Sequence, residues 1–224
     1  MVSRKKLLKE PDEFFTISGK LIEFGTRFRK ELTIGAVVLL VLVAGISGLR
    51  YFNDKKELKG FAELNSVTTV YNQINSDQND EKAYAAVKDD FEKLLDDFGS
   101  QTAGKIGRVI FAGICLDAGQ YDQAEGLYQE ALSHFGKDPF YGPVIQMNLG
   151  YIAVAKNDLD SAKGYFEAVT QIKEATVAAE ALFNLATIYE NKGDVEKARS
   201  LYNKIAVEYE QSLFGTIAAN KANG

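Results

Sequence analysis

The clearest candidate for chemistry in this sequence is a glycine-rich stretch near its middle. In GSQTAGKI, Gly99, Gly104 and Lys105 have the spacing of a phosphate-binding P-loop. A P-loop also needs a strand before it and a Ser or Thr after its lysine. Here FEKLLDDF, which is typical of a helix, precedes the stretch, and Ile106 follows Lys105. We interpret the stretch as a polar connector between helices.

The other reactive residue types are too few or wrongly spaced for a catalytic or metal site. His134 is the single histidine, which argues against a histidine metal site or a catalytic triad. Cys115 falls where two helices are expected to cross, so we expect a buried, unreactive thiol. The pairs Asp89-Asp90 and Asp96-Asp97 suit a solvated helix face and lack EF-hand spacing. The sequence predicts no catalytic residue, no metal, no cofactor and no small-molecule substrate.

The charge is distributed unevenly along the 224 residues. Residues 1–31 carry eight Lys/Arg against five Asp/Glu, and residues 50–59 carry four against two. Residues 60–224 carry 14 against 24, a net charge of 14 − 24 = −10. A domain this acidic is a poor partner for nucleic acid. The basic residues instead flank one apolar segment.

That segment is LTIGAVVLLVLVAGISGL, which contains no charge from Leu32 to Leu49. As a helix, eighteen residues extend about 27 Å, close to the hydrocarbon thickness of a bilayer. A buried core helix and a cleaved signal peptide are the alternatives. The apolar run is long for both, and a tail of 31 residues precedes it. We predict a transmembrane helix over 32–51.

The orientation of this predicted helix depends on the basic residues around it. Four Lys/Arg lie within about 20 residues on each side, so the local charge difference is flat. The whole tail has eight, and a long C-terminal domain can be translocated regardless of charge. We expect the N-terminus in the cytoplasm and the domain on the other side of the membrane.

The tail, residues 1–31, contains a predicted amphipathic helix. Its apolar residues recur every three or four positions, and Pro11 and Asp12 open it, while Gly19 and Gly25 weaken it. This pattern suits either the membrane surface or a partner helix. The apolar stripe consists of Phe14, Ile17, Leu21, Phe24, Phe28 and Leu32.

Beyond a predicted linker at 52–59, residues 60–224 show one pattern three times. A large residue precedes a small one, a polar corner follows, and an alanine then precedes an aromatic residue by four positions. The alanines lie 38 and 36 residues apart. The pattern resembles tetratricopeptide repeats, in which small residues let two helices cross and rings fill the space between units. The members are Phe111-Ala112, Ala124 and Tyr128; Leu149-Gly150, Ala162 and Phe166; and Leu185-Ala186, Ala198 and Tyr202.

The repeats are flanked by weaker helical segments. We predict a degenerate helix pair before them, with NSDQNDE as its turn, and a closing helix in SLFGTIAANKANG. The pair has two apolar stripes, Phe61, Leu64, Val67, Tyr71 and Ile74, then Ala86, Phe91, Leu94, Leu95 and Phe98. The repeats lack Trp, exceed 34 residues and have Gly136, Glu174 or Glu210 where a closing Pro is usual. The fold class is therefore all-α, an N-terminal transmembrane helix followed by a tetratricopeptide-like solenoid.

The layout resembles a known family. A basic tail containing KEPDEF, one span and a short acidic tetratricopeptide-like domain are similar to the YfgM-type ancillary subunits of the SecYEG translocon. The resemblance covers nearly the full chain, although the repeat motifs are generic. It implies a bacterial inner-membrane protein with a periplasmic domain that contacts the translocon and periplasmic chaperones.

The first helices of stacked repeats line a concave surface, which predicts a binding groove. Several of its residues could equally be core, and Asn148 and Asn184 are expected to bind the backbone of a partner. We expect a membrane-anchored, non-enzymatic adaptor for translocon components, chaperones or emerging secreted proteins. The alternatives are an assembly factor for another envelope complex and a nucleotide-dependent regulator built around Lys105. The predicted groove residues are Val109, Leu116, Met147, Asn148, Tyr151, Val154, Phe183, Asn184 and Thr187.

Overall fold

A computed structural model describes residues 13–75, 79–172 and 176–223, and the regular elements in these ranges are helices. Residues 1–12 of the predicted tail, residues 76–78 of the predicted first turn and Glu174 lie outside them. The helices are α1 (Glu13–Arg27), α2 (Arg29–Ile74), α3 (Asp80–Phe98), α4 (Thr102–Asp117), α5 (Tyr121–Phe135), α6 (Tyr141–Ala155), α7 (Leu159–Thr170), α8 (Ala178–Asn191), α9 (Val195–Glu208) and α10 (Leu213–Asn223).

The chain forms two compact units, Met1–Lys55 and Lys56–Gly224. In the first unit, α1 runs through Gly19 and Gly25 without a break. Leu21, Phe24 and Phe28 of the predicted apolar stripe are exposed. The side chains of Phe14 and Ile17 lie outside the described residues. Helix α1 is thus continuous where glycine was expected to weaken it.

The predicted apolar segment lies in α2, which begins at Arg29. An 18-residue window of this helix is long and apolar enough to cross a membrane, and none of it is buried in the structure. By length and composition it is a candidate span. A signal sequence near an N-terminus shares these properties.

Residues 52–59, predicted as a linker, are helical and belong to α2. The stretch FNDKKELK contains neither Gly nor Pro, and its Lys, Glu and Leu residues favour helix. Within the second unit, the Glu57 carboxylate accepts hydrogen bonds from the backbone N–H groups of Thr102 and Ala103 at 3.1 and 3.0 Å. Glu57 therefore caps α4, whose own N-cap residue, Gln101, makes no side-chain cap. The linker prediction is wrong at least for residues 56–59, which belong to the folded unit.

The second unit is built from helices that pack in chain order. Each helix from α3 to α10 packs against the next, and α4 also contacts α6 as α8 contacts α10. We call α4, α6, α8 and α10 the first helices and α5, α7 and α9 the second helices. Three clusters of buried apolar residues follow one another along this stack. This is the arrangement of a helical-repeat solenoid, in which each unit buries the apolar face of its neighbour.

The small residues of the predicted pattern lie where the helices cross. Ala124, Ala162 and Ala198 of the second helices are all buried. A Cβ added to Gly150 of α6 would lie 2.4 Å from Cε1 of Phe166, so α6 and α7 approach too closely for any side chain there. The predicted register of the repeats is therefore correct at these positions.

The polar corners have the backbone that their residues predict. Gly119, Asn157 and Gly193 have φ angles of 71°, 59° and 81°, the left-handed region that Gly and Asn tolerate. The next residue in two corners caps the following helix. Asp158 accepts a hydrogen bond from the N–H of Ser161, and Asp194 accepts one from the N–H of Lys197. Each corner thus ends one helix and starts the next.

The first helix pair of the domain departs from its predicted stripes. Leu64 and Val67 of α2 are buried against α3 and α4, but Phe61 is 42% exposed. Gly60 occupies the close contact instead, since a Cβ there would lie 3.0 Å from Cβ of Ala103. On α3 the buried stripe contains Ala83 and Val87, whereas Ala86 is exposed. One residue of each stripe, Phe61 on α2 and Ala86 on α3, was therefore assigned to the wrong face.

Candidate functional site

The nine predicted groove residues lie on three successive first helices, and we refer to them as the first-helix row. Val109 and Leu116 lie on α4, four residues lie on α6, and three lie on α8. Most of their side chains are half-buried, so they lie at the boundary between core and solvent. The residues of α6 are Met147, Asn148, Tyr151 and Val154, and those of α8 are Phe183, Asn184 and Thr187.

Met147 does not belong to the accessible part of the row. Its side chain is only 3% exposed and packs in the second core cluster with Ala178 and Ala181 of α8. The flexible thioether of methionine suits such a cluster because it fills irregular gaps between packed side chains. The prediction that Met147 contacts a partner is therefore wrong.

A hydrogen-bonded network joins the row from α6 to α8. The Tyr151 hydroxyl donates to Oε1 of Glu180, and Nδ2 of Asn184 donates to the Tyr151 hydroxyl at 3.3 Å. Asn184 Nδ2 also donates to the Glu180 carbonyl at 2.9 Å. Burial, and then the hydrogen bond to Glu180, raise the pKa of Tyr151 above its ordinary value. Tyr151 therefore stays protonated at neutral pH and remains a donor.

This network limits what Asn184 can offer a ligand. An asparagine amide has two N–H groups, and both bonds of Asn184 Nδ2 are made inside the protein. Its side-chain oxygen remains as the group that could accept from a partner backbone. Asn148 makes no side-chain hydrogen bond to the residues that the structure describes, so both of its polar groups are available.

Phe183 is anchored within the domain. Its ring centroid lies 5.6 Å from that of Tyr202 on α9 and 5.3 Å from that of Phe214 on α10. Thr187, one turn later, donates to the Phe183 carbonyl at 3.0 Å. The edge of the Phe183 ring is only partly exposed, so its larger role is to attach the closing helix α10.

Val154 is the most accessible residue of the row, with 41% of its surface exposed. It lies one turn after Tyr151 at the end of α6. Val109 and Leu116 are half-buried and pack against the first core cluster. The accessible part of the row thus has the side chains of Val154 and Tyr151, with amide groups and the Glu180 carboxylate beside them. Such a surface can hold an extended or helical segment of another protein.

The residues considered for chemistry lie elsewhere in the domain. Cys115 is fully buried, and burial raises its pKa to about 12, so its thiol is protonated and inaccessible. Lys105 is in the first turn of α4, directly preceded by α3 rather than by a strand. A Cβ at Gly104 would lie 2.1 Å from the Phe98 carbonyl, so this glycine serves a close helix contact. The segment is built for packing between α3 and α4.

Sequence reasoning missed Glu180, which completes the network of Tyr151 and Asn184. Glu180 lies before the recognised repeat motif, in the first turn of α8. The available signal was its spacing, because a residue four positions before Asn184 lies on the same face of a helix. Phe214 of the closing helix was also missed as a partner of Phe183.

Comparison with known proteins agrees with this architecture. The family model for a tetratricopeptide repeat-like domain matches residues 23–219. No match was found among curated proteins.

Solved structures with the same fold come from different organisms. BtubC (BKLC) from P. vanneervenii superposes with a TM-score of 0.59 and 12% identity, covering 80% of both chains. The nearly identical TPR-like repeats of a putative kinesin light chain from Podosopora anserina superpose with a TM-score of 0.57 and 14% identity. That alignment covers 71% of this chain and 83% of the other. At these identities the likeness concerns the fold alone.

Proposed function

We propose, because this chain belongs to the tetratricopeptide repeat-like domain family, that it is a non-enzymatic adaptor anchored in a membrane. Solenoids of this kind present long, shallow surfaces to other proteins rather than enclosed active sites. The first-helix row provides such a surface. The function we assign is therefore to hold protein partners next to a membrane.

One observation carries this proposal, the continuity of the row between two repeats. Tyr151 of α6 is bonded to Glu180 of α8, and Asn184 is bonded to both, so the two helices present one surface. Val154 projects beside this network with an exposed apolar side chain. A rigid set of polar groups with apolar side chains beside it suits a peptide segment. Hydrogen bonds would set the register of the peptide, and apolar contacts would contribute affinity.

We further propose that the apolar window of α2 spans the bacterial inner membrane once and that the repeat domain lies in the periplasm. The support is the length and composition of the window, the basic tail and the resemblance to the translocon-associated family. On this proposal the partners are the SecYEG translocon and periplasmic chaperones. An assembly factor for another envelope complex would use the same surface with different partners.

A photocrosslinking experiment tests the surface. A benzophenone amino acid replaces Val154 in the full chain in native membranes, and a matched chain carries it at Val207 on α9. Val207 is even more exposed, at 81%, but lies on a second helix away from the row. We expect specific adducts from position 154 only, and mass spectrometry identifies them. The same adducts from both positions, or none from 154, would contradict binding at the row.

The identity of the adducts separates the two envelope roles. Translocon subunits or chaperones support the first proposal, and a different envelope complex supports the second.

The anchor is tested separately. The full chain should stay with membranes during extraction at alkaline pH, and external protease should digest the repeat domain in spheroplasts. Release by alkali would contradict the span, and protection of the domain would reverse the orientation.

A further inference from the structure

Aromatic and basic side chains bracket the apolar window of α2 at both ends. Before it, the guanidinium carbon of Arg27 lies 5.7 Å from the ring centroid of Phe28, which is 4.8 Å from that of Phe24. After it, Nζ of Lys55 lies 4.8 Å from the ring centroid of Tyr51, which neighbours Phe52. All these residues belong to the first unit, and the rings are exposed. We call the two groups the first and second girdles.

The separation of the girdles fits a bilayer. Phe28 and Tyr51 are 23 positions apart, about 34 Å along a helix. The hydrocarbon core of a bilayer is about 30 Å thick. Both girdles therefore reach the headgroup regions, where aromatic rings are enriched at membrane interfaces.

Further basic residues lie next to the rings of the two girdles, and we count Arg29 and Lys30 with the first girdle and Arg50 with the second. Among the residues that the structure describes, no ion pair involves Arg27, Arg29, Lys30, Arg50 or Lys55. Some lysines of the repeat domain are paired, and Lys156, Lys192 and Lys221 each meet a carboxylate at 2.7 Å. Lys82 and Lys137 of the same domain, like the girdle cations, are in no ion pair of the described residues. The charge of the girdles is thus free to act on something outside the protein.

Basic residues lie at both ends of the apolar window, and their presence at the second end requires an explanation. Equal numbers of Lys/Arg within about 20 residues of the span give no orientation signal, so orientation does not explain the second group. Basic residues at the membrane surface are attracted by anionic lipid. That attraction applies in either leaflet that contains such lipid.

We infer that both girdles bind anionic phospholipid headgroups, one set in each leaflet. Arg27, Arg29 and Lys30 contact phosphates on one side, and Arg50 and Lys55 contact them on the other. The aromatic rings hold the helix at the depth where the cations reach the phosphates. This inference rests on the proposed membrane span and adds to it a preference for the lipid that surrounds it.

The test measures lipid selectivity of the full chain in phosphatidylcholine vesicles. Spin-labelled phosphatidylglycerol or phosphatidylcholine is added, and electron spin resonance gives the motionally restricted fraction of each. We expect the native chain to favour phosphatidylglycerol about two- to fivefold. The preference should fall as salt is raised, because headgroup attraction is screened.

Two variants of equal charge address the girdles one at a time. Arg27→Gln/Arg29→Gln and Arg50→Gln/Lys55→Gln should each reduce the preference by about half, and their combination should nearly abolish it. The matched control is Lys82→Gln/Lys137→Gln, which removes two exposed lysines from the repeat domain. It should leave the preference unchanged.

Three results would overturn the inference. They are equal restriction of both lipids by the native chain, an equal loss in the control, and a loss confined to one girdle. Alkaline extraction of the same vesicles separates this inference from the anchor. A chain that resists extraction but shows no preference overturns lipid binding alone, whereas a released chain overturns the span and with it the girdles.

Discussion

Gly150 is a residue at which one carbon atom decides how two helices pack. Its added Cβ would lie 2.4 Å from the ring of Phe166, and that ring is fully buried and cannot swing into solvent. We predict that Gly150→Ala lowers the free energy of unfolding of the fragment 56–224 by about 1–3 kcal/mol. Chemical denaturation followed by circular dichroism measures this loss.

Gly164 is the matched control for this substitution. It lies in the middle of α7, is exposed, and has no atom within 4 Å of an added Cβ. Gly164→Ala should raise the free energy of unfolding by about 0.5–1 kcal/mol, because alanine is the better helix former. The same Gly→Ala substitution should therefore change the free energy of unfolding in opposite directions at the two positions. Equal losses at both positions would contradict the close contact at Gly150.

Cys115 is predicted to be unreactive while the domain is folded. Burial raises its pKa to about 12, so the folded thiol holds its proton at a pH where the unfolded thiol, with its ordinary pKa near 9, has lost it. The thiol therefore contributes a stability that is present below pH 9 and is lost as the pH rises from 9 towards 12. We expect a maleimide to label the protein only in denaturant. Rapid labelling of the native protein at neutral pH would place Cys115 at the surface.

At the scale of the elements, the corners between helices carry a third prediction. Asp158 caps α7 through the N–H of Ser161, and the hydrogen bonds from Ser161 lower its pKa. Asp160, two residues later, instead pairs with Lys192 on the surface at 2.7 Å. Loss of an N-cap destabilises a helix more than loss of an exposed ion pair.

We therefore predict that Asp158→Ala lowers the melting temperature of the fragment 56–224 by about 2–4 °C, whereas Asp160→Ala changes it by less than about 1 °C. Acid should reduce this difference. The folded pKa of Asp158 is lowered, so its contribution is present above the unfolded pKa near 4 and is lost below it. Equal effects of both substitutions at neutral pH would show that the cap contributes nothing special.

The elements also show what the sequence could predict. The repeat register was predictable because Ala124, Ala162 and Ala198 must be small, and each occupies a helix crossing. The extent of α2 was not predictable from the sequence. A change from apolar to charged residues shows where a helix meets water, but it does not show where the helix ends. The prediction of a linker at 52–59 relied on composition alone. The structure shows that this part of α2 belongs to the repeat domain, because Glu57 caps the start of α4.

At the scale of the whole molecule, the binding surface was only partly predictable. The register places Met147 and Val154 on similar faces of α6, yet Met147 is buried and Val154 is exposed. Met147 packs in the second core cluster with Ala178 and Ala181 of α8, whereas Val154 belongs to none of the core clusters of the described residues. Such packing depends on how neighbouring repeats stack, which no single repeat encodes. Tyr151 and Asn184 were placed on the row, but their bond to Glu180 requires the same information.

The closing helix gives the last prediction, since α10 covers the end of the stack. Ala218 and Ala222 are buried in the third core cluster with Leu182 and Tyr202, and Phe214 meets the ring of Phe183. In a linear array of repeats each unit depends mainly on its neighbours. Removal of residues 210–224 should therefore weaken α8 and α9 first and leave α4 and α5 little changed.

Hydrogen exchange of the fragments 56–224 and 56–209, followed by mass spectrometry, measures this gradient. We expect exchange in α9 to rise by at least about tenfold, which corresponds to about 1.4 kcal/mol of lost protection, and exchange in α4 to stay within about twofold. A uniform rise from α3 to α9 would mean that the domain unfolds as one cooperative unit. In that case a partner bound at α6 and α8 would stabilise every helix equally. The gradient instead implies that binding at the row mainly stabilises the end of the solenoid that α10 closes.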